Sequence, residues 1–141
     1  MTATVHARMF PLQAALGLGA LVVSAGLAGC GRGGQPDVAP VTGTVTLDSL
    51  PLQGAMVEFS PESGKASRAV TDQQGRYDLI YLRDIRGAVL GRHRVRIITD
   101  HEGAEAQTRQ IRLPARYDQA TELTAEVGPR SNTFDFALES R

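Results

Sequence analysis

From residue 41 onward the apolar residues recur with a period of two, in short runs separated by turn residues. Such a pattern can bury one face of a strand but cannot build the stripe of a helix. "VTGTVTLD" (41–48) alternates Val41, Gly43, Val45 and Leu47 with three threonines, and "AMVEFS" (55–60) sets Val57 and Phe59 against Glu58. "RAVT" (68–71) is brief, and "RYDLIYL" (76–82) aligns Tyr77, Leu79 and Tyr81. "HRVRIIT" (93–99) sets Val95 and Ile97 against Arg94 and Arg96. "LTAEV" (123–127) and "TFDFAL" (133–138) continue the alternation with Leu123, Ala125 and Val127, then Phe134, Phe136 and Leu138. No stretch after residue 40 sustains a 3.6-residue apolar stripe. Fifteen glycines, seven prolines and no tryptophan add many turns around a modest aliphatic core. The expectation is an all-β, seven-stranded β-sandwich over residues 41–141.

Turn chemistry cuts the chain at the same places. "DSLPLQG" (48–54) and "SPESG" (60–64) hold Pro and Gly at strand ends. In "TDQQG" (71–75), Asp72 can accept backbone N–H groups as an Asx-turn and Gly75 can supply a positive φ. A calcium site is the functional alternative for Asp72, but one Asp beside two Gln lacks the oxygen count calcium requires. The expected core is Val45, Val57, Phe59, Tyr77, Leu79, Val95, Ile97, Phe134 and Phe136. On that register, Phe134→Ala costs roughly 3–5 kcal/mol if the ring is fully buried.

The first thirty residues read differently. "MTATVHAR" carries the amino terminus and Arg8 as positive charge, and no charged residue occurs from Met9 through Gly29. That order is the charged and apolar sequence of an export signal. It ends in Leu27-Ala28-Gly29-Cys30, which resembles a bacterial lipobox: a Leu, two small residues and a Cys. The resemblance implies cleavage between Gly29 and Cys30 after a diacylglyceryl group joins the thiol, so residues 1–29 form a lipoprotein signal peptide. An uncleaved membrane helix is the alternative, but about 20 apolar residues are needed to span, and this run barely suffices while including Pro11, Gln13 and Ser24. Cys30 is the only cysteine, so neither a disulfide framework nor a cysteine-based zinc site exists. Each buried methylene of a lipid chain contributes about 0.8 kcal/mol, and two chains hold a protein stably at a membrane. Gly31 follows the cysteine where an Asp would favour retention in the inner membrane. By resemblance to sorting in two-membrane bacteria, this implies the outer membrane, facing the periplasm or the surface. Residues 30–40, from the lipidated cysteine through "GRGGQPDVAP", have the composition of a flexible tether.

The folded part carries a second resemblance. "VTGTVTLDSLPLQGAMVEFSP" followed by "TDQQGRYDL" resembles a carboxypeptidase-regulatory-like domain, the transthyretin-like or prealbumin-like sandwich of many exported proteins. The shared elements are the G-T-V strand, the P-L-x-G-A turn and the T-D-x-x-G-x-Y corner. "GRHRVRI", "LPARYD" and "NTFDFAL" resemble a subset found as small bacterial lipoproteins, in which the tyrosine is usually followed by Asn where this chain has Asp118. The resemblance covers residues 41–138 and implies a fold with no catalytic role of its own. The transthyretin-like hydrolases of 5-hydroxyisourate use paired histidines and a C-terminal Y-R-G-S, whereas this chain ends in "LESR".

Composition narrows the function classes further. Fifteen basic residues, of which only Lys65 is lysine, balance 15 acidic ones. A chain without excess positive charge is poorly suited to general nucleic-acid binding. There is no H-x-x-E pattern, and only His93 and His101 follow the signal segment. Arg92, Arg94 and Arg96 are expected on one strand face, either as a solvated surface or as an anion site. "DHEGAEAQ" (100–107) groups Asp100, His101, Glu102 and Glu105 but reads as a polar loop, and no metal or other cofactor is expected beyond the lipid on Cys30. A Lys–Asn isopeptide could join only Lys65 and Asn132, and Lys65 falls in a loop. The reading is a lipid-anchored, non-catalytic binding or structural module of the cell envelope, with the membrane and an envelope protein or glycan as partners. Its rivals are a glycan or anionic-ligand binder using the arginine face, and a hydrolase with an unrecognised site.

Overall fold

The computed structural model describes residues 34–141; the expected cleavage at Gly29–Cys30 lies outside them. Pairing begins at Val38, three residues before the expected start at Val41. Strand β1 (Val38–Ala39) joins β9 (Ala88–Val89), and Asp37 already accepts a hydrogen bond from the Leu90 N–H at 3.0 Å. Ala39 is buried because Gly87 and Ala88 pack directly against this segment, so the tether gives way to the fold earlier than composition suggests.

Two sheets enclose the core. The larger is antiparallel, in the order β11 (Thr124–Val127), β10 (Gly91–Ile98), β4 (Met56–Pro61), β5 (Ser67–Val70), β7 (Ile80–Leu82) and β8 (Ile85–Arg86). The second is organised around β2 (Val41–Leu47). On one side β12 (Asn132–Thr133) and β13 (Phe136–Leu138) run parallel to β2; on the other, β3 (Leu50–Pro51) and β6 (Arg76–Asp78) run antiparallel. The molecule is a β-sandwich, as the alternation implied. Its inner faces carry Val41, Val45, Val57, Phe59, Tyr77, Leu79, Val95 and Ile97, all buried.

Among the described residues the seven expected runs correspond to nine strand segments, and four two-residue segments, β1, β3, β8 and β9, fall outside them; the interruptions have physical causes. Run 76–82 breaks at Leu79. Its first half pairs with β2 and its second with β5, so the chain crosses between the sheets at this point. The Leu79 N–H donates to Val41 and the Leu79 carbonyl accepts from Gly87. Tyr77, Leu79 and Tyr81 still point inward on both sides of the crossing. Run 133–138 breaks at Phe134 and Asp135 because the Phe134 carbonyl accepts the Tyr77 hydroxyl at 2.6 Å. The Asp135 carboxylate then accepts both the N–H and the hydroxyl of Thr44, each at 2.8 Å. Gly43 makes room for this arrangement: a Cβ there would overlap the Phe134 carbonyl and crowd the Tyr77 hydroxyl.

Two short helical pieces were not anticipated, α1 (Ala106–Gln110) and a 3₁₀ turn (Ala115–Tyr117). Neither has a sustained apolar stripe; each is held by a residue it buries, Thr108 and Tyr117. Segment 100–107 is correspondingly tied down. The His101 ring contacts the Gly54 carbonyl at 2.9 Å, and the Thr108 hydroxyl donates to Gln53.

Phe59 occupies the middle of the core, with ring centroids of His93, Phe134, Phe136 and Tyr77 between 5.7 and 6.4 Å away. Phe134 and Phe136, expected in the core, are only partly buried, because the break at Phe134 and strand β13 lie at the margin of the smaller sheet. Leu138 takes the enclosed position on that strand. Urea unfolding should therefore show a loss of about 3–5 kcal/mol for Phe59→Ala and a clearly smaller one for Phe134→Ala. Equal losses would mean that the marginal ring is as enclosed as the central one.

The Asx-turn forms as expected. Asp72 accepts the N–H groups of Gln74 and Arg76, both at 2.9 Å, and Gly75 has φ 73°. The backbone hydrogen bond from Arg76 is the principal cause that holds the Asp72 carboxyl below its ordinary value, assisted by Gln74 and the Arg76 charge. A carboxyl depressed in the folded state stabilises the fold above its unfolded pKa, and that contribution is lost as pH falls through the lower folded value. Asp72→Ala should thus be less stable than the parent at neutral pH, with the gap narrowing below about pH 4. Urea midpoints measured at pH 7 and pH 3 would check this, and a constant gap would contradict it.

Candidate binding face

The outer face of the larger sheet is where the structure places the three arginines. Strand β10 sends His93, Val95 and Ile97 inward and Arg92, Arg94 and Arg96 outward, as period-two geometry requires. Their surroundings separate them. In register, Arg92 lies opposite Glu126 of β11, Arg94 lies between Ser60 of β4 and Thr124 of β11, and Arg96 lies opposite Glu58 of β4.

Arg96 is consumed by carboxylates. Its Nη1 donates to Glu58 Oε1 at 3.2 Å, and its Nε and Nη2 donate to Asp118 Oδ1 at 3.0 and 2.6 Å. Glu58 is 7% exposed and also accepts from Arg68 Nε at 2.7 Å. The Asp118 hydrogen bond is the chief reason that the Arg96 guanidinium is held still more firmly protonated. Of the three arginines expected on one outward face, Arg96 is thus a structural cation that ties the 3₁₀ turn to the sheet, which leaves Arg92 and Arg94 for the alternatives of a solvated surface or an anion site. Asp118 supplies that tie as a charge.

Arg92 and Arg94 are exposed, and neither forms an ion pair among the described residues. Together with Ser60, Pro61, Glu62, His93 and Thr124 they line a shallow concavity. His93 itself is 1% exposed. Its Nε2 lies 2.7 Å from the Val89 carbonyl, which assigns the proton to that nitrogen, and its Nδ1 has no protein partner.

The other candidates are dispersed. Both ring nitrogens of His101 face carbonyl oxygens, of Glu102 and Gly54. Among the described residues no three His, Cys, Asp or Glu side chains converge as metal ligands. The Asn132 amide is engaged by Pro40, Gly128 and Arg130, while Lys65 is exposed. Arg86 pairs with Asp78. Sequence reading singled out Asp118 only as a departure from Asn, and assigned neither it nor Glu58 to this site. The outward phase of Glu58 was visible, but its facing Arg96 depends on strand register, and Asp118 arrives from 22 residues away.

No family model matches this chain, and no curated protein matches it in sequence. Among solved structures, it is similar to the crystal structure of a DUF3823 family protein from Parabacteroides merdae, with 11% identity and a TM-score of 0.44. The match covers 74% of this chain, which spans about half of the other (47%). No helix among the described residues is long and apolar enough to cross a membrane.

The ion network sets an asymmetry that mutation can read. Arg96→Ala leaves Glu58 and Asp118 without their shared cation, whereas Glu58→Ala leaves Arg96 on Asp118 and frees only the exposed Arg68. Arg96→Ala should cost about 1–3 kcal/mol and Glu58→Ala less, as measured by chemical denaturation. The reverse order would show that the network is not what holds the 3₁₀ turn.

Proposed function

We propose that this chain is an exported lipoprotein, anchored through a diacylglycerol-modified Cys30, that presents a transthyretin-like sandwich for non-catalytic binding in the cell envelope. The observation that carries the reading is the short interval between the lipobox-like cysteine and the first pairing residue. Only residues 31–37 separate Cys30 from Val38, and Asp37 is already hydrogen-bonded to the fold. Seven residues of Gly-rich coil reach on the order of 15 Å, so the domain would stay near the membrane surface while remaining free to turn. The residues with catalytic chemistry support a binding role over an enzymatic one. His93 is enclosed in the core, His101 bonds to backbone carbonyls, and Glu58 and Asp118 neutralise Arg96.

The anchor is tested by expressing the full chain in a bacterial host supplied with labelled palmitate. The parent should take up label and partition into the detergent phase, and Cys30→Ser should do neither, accumulating with its signal segment uncut. Label retained by Cys30→Ser would remove the proposal.

A further inference from the structure

We propose that Arg92 and Arg94 form the recognition site for a carboxylated saccharide on the outer face of the larger sheet. The inference deepens the preceding reading by giving the binding module a ligand class, and it rests on that reading only for where the ligand is met. Three observations carry it. Arg94 lies on the middle one of three strands, and both of its register neighbours, Ser60 and Thr124, bear hydroxyls. Arg92 projects from the same face two residues earlier, about 7 Å along the strand. Farther along the same face, Arg96 and Glu58 are locked into their own network, which the Ser60 hydroxyl borders at 3.5 Å from Glu58 Oε1, so the third cation of the row is already neutralised.

The charge mixture selects the ligand. Glu62 lines the same concavity, and Glu126 faces Arg92 across the strands. An anion without hydroxyls, such as phosphate, would gain two guanidiniums but offer Glu62 and Glu126 no donor. A neutral sugar would leave both guanidiniums without a matching acceptor. A sugar acid uses every group: its carboxylate accepts paired N–H donors from arginine, and its ring hydroxyls donate to Glu62 and exchange hydrogen bonds with Ser60 and Thr124. An open strand face rather than a closed pocket suits a chain of such residues lying across it.

The experiment titrates the full chain, purified in detergent, with an oligogalacturonate, with the same oligomer as its methyl ester, and with inorganic phosphate. Isothermal calorimetry reads the affinity. The free acid should bind, with an affinity that falls as salt is raised. The ester should bind at least about tenfold more weakly, and Arg94→Ala and Arg92→Ala should each weaken the free acid by a similar factor, equivalent to about 1.4 kcal/mol. Arg112→Ala, an exposed arginine off this face, should change nothing. Circular dichroism would verify that each variant is folded, and Arg94→Lys, which keeps the charge but not the paired donors, should still bind more weakly than the parent. Equal binding of acid and ester, binding indifferent to both arginines, or no binding would each overturn the proposal. Phosphate binding as tightly as the saccharide would also overturn it, by showing a plain anion site. Cys30→Ser protein gives the same titration if only the anchoring is wrong, so the two readings fail separately.

Discussion

The hydrogen bond from Tyr77 to the Phe134 carbonyl is the constraint on which the sandwich depends. It joins β6, which pairs only with β2, to the break between β12 and β13, 57 residues away. Because the phenol takes this carbonyl, Thr44 loses its expected ladder partner and turns to Asp135 instead, and Gly43 must lack a side chain for the groups to meet. The phenol can only donate while protonated. Burial, with the Asp135 charge adding to it, pushes the Tyr77 pKa well up, so the donor persists throughout the ordinary pH range. One side-chain contact thereby positions the C-terminal strand, its partly buried phenylalanines and the aromatic cluster around Phe59.

The opposite face of the molecule is ordered by charge. Glu58, nearly buried on the outside of the larger sheet, is tolerable because Arg68 and Arg96 flank it from both neighbouring strands. A carboxylate in such a position is costly without paired donors. Asp118 completes the set from the 3₁₀ turn and covers the sheet with it. The network separates a structural arginine from two exposed ones, although all three share a strand and a phase. The exposed pair is left beside hydroxyls and carboxylates.

The point where the described chain enters the fold lies at the same end of the larger sheet as the exposed arginines. Asp37 and Val38 enter the fold beside β9 and Leu90, and β10 begins at Gly91 directly after them. Arg92 and Arg94 therefore stand at the end of β10 closest in sequence to the point where the tether joins. Pro61 and Glu62 of the same concavity meet this end through the pairing of His93 with Pro61. The Asp48–Ser49 hairpin and the Asx-turn lie at the other end of the sandwich.

Much of this was legible in the sequence, for a local reason. Period-two alternation identified the strands and named Val45, Val57, Phe59, Tyr77, Val95 and Ile97 as interior, because side-chain phase along a strand follows from backbone geometry alone. Asp72 and Gly75 announced their turn through chemistry confined to five residues. The same alternation put Arg92, Arg94 and Arg96 on one face. What the tertiary structure decided was every matter of register and crossing: the switch between sheets at Leu79, the break at Phe134, the early entry at Val38, and the two small helical pieces held by Thr108 and Tyr117. It also decided which arginine is free, since Glu58 and Asp118 reach Arg96 from other strands and turns. Pairings between segments tens of residues apart depend on how whole sheets stack, and no local window of sequence contains that information.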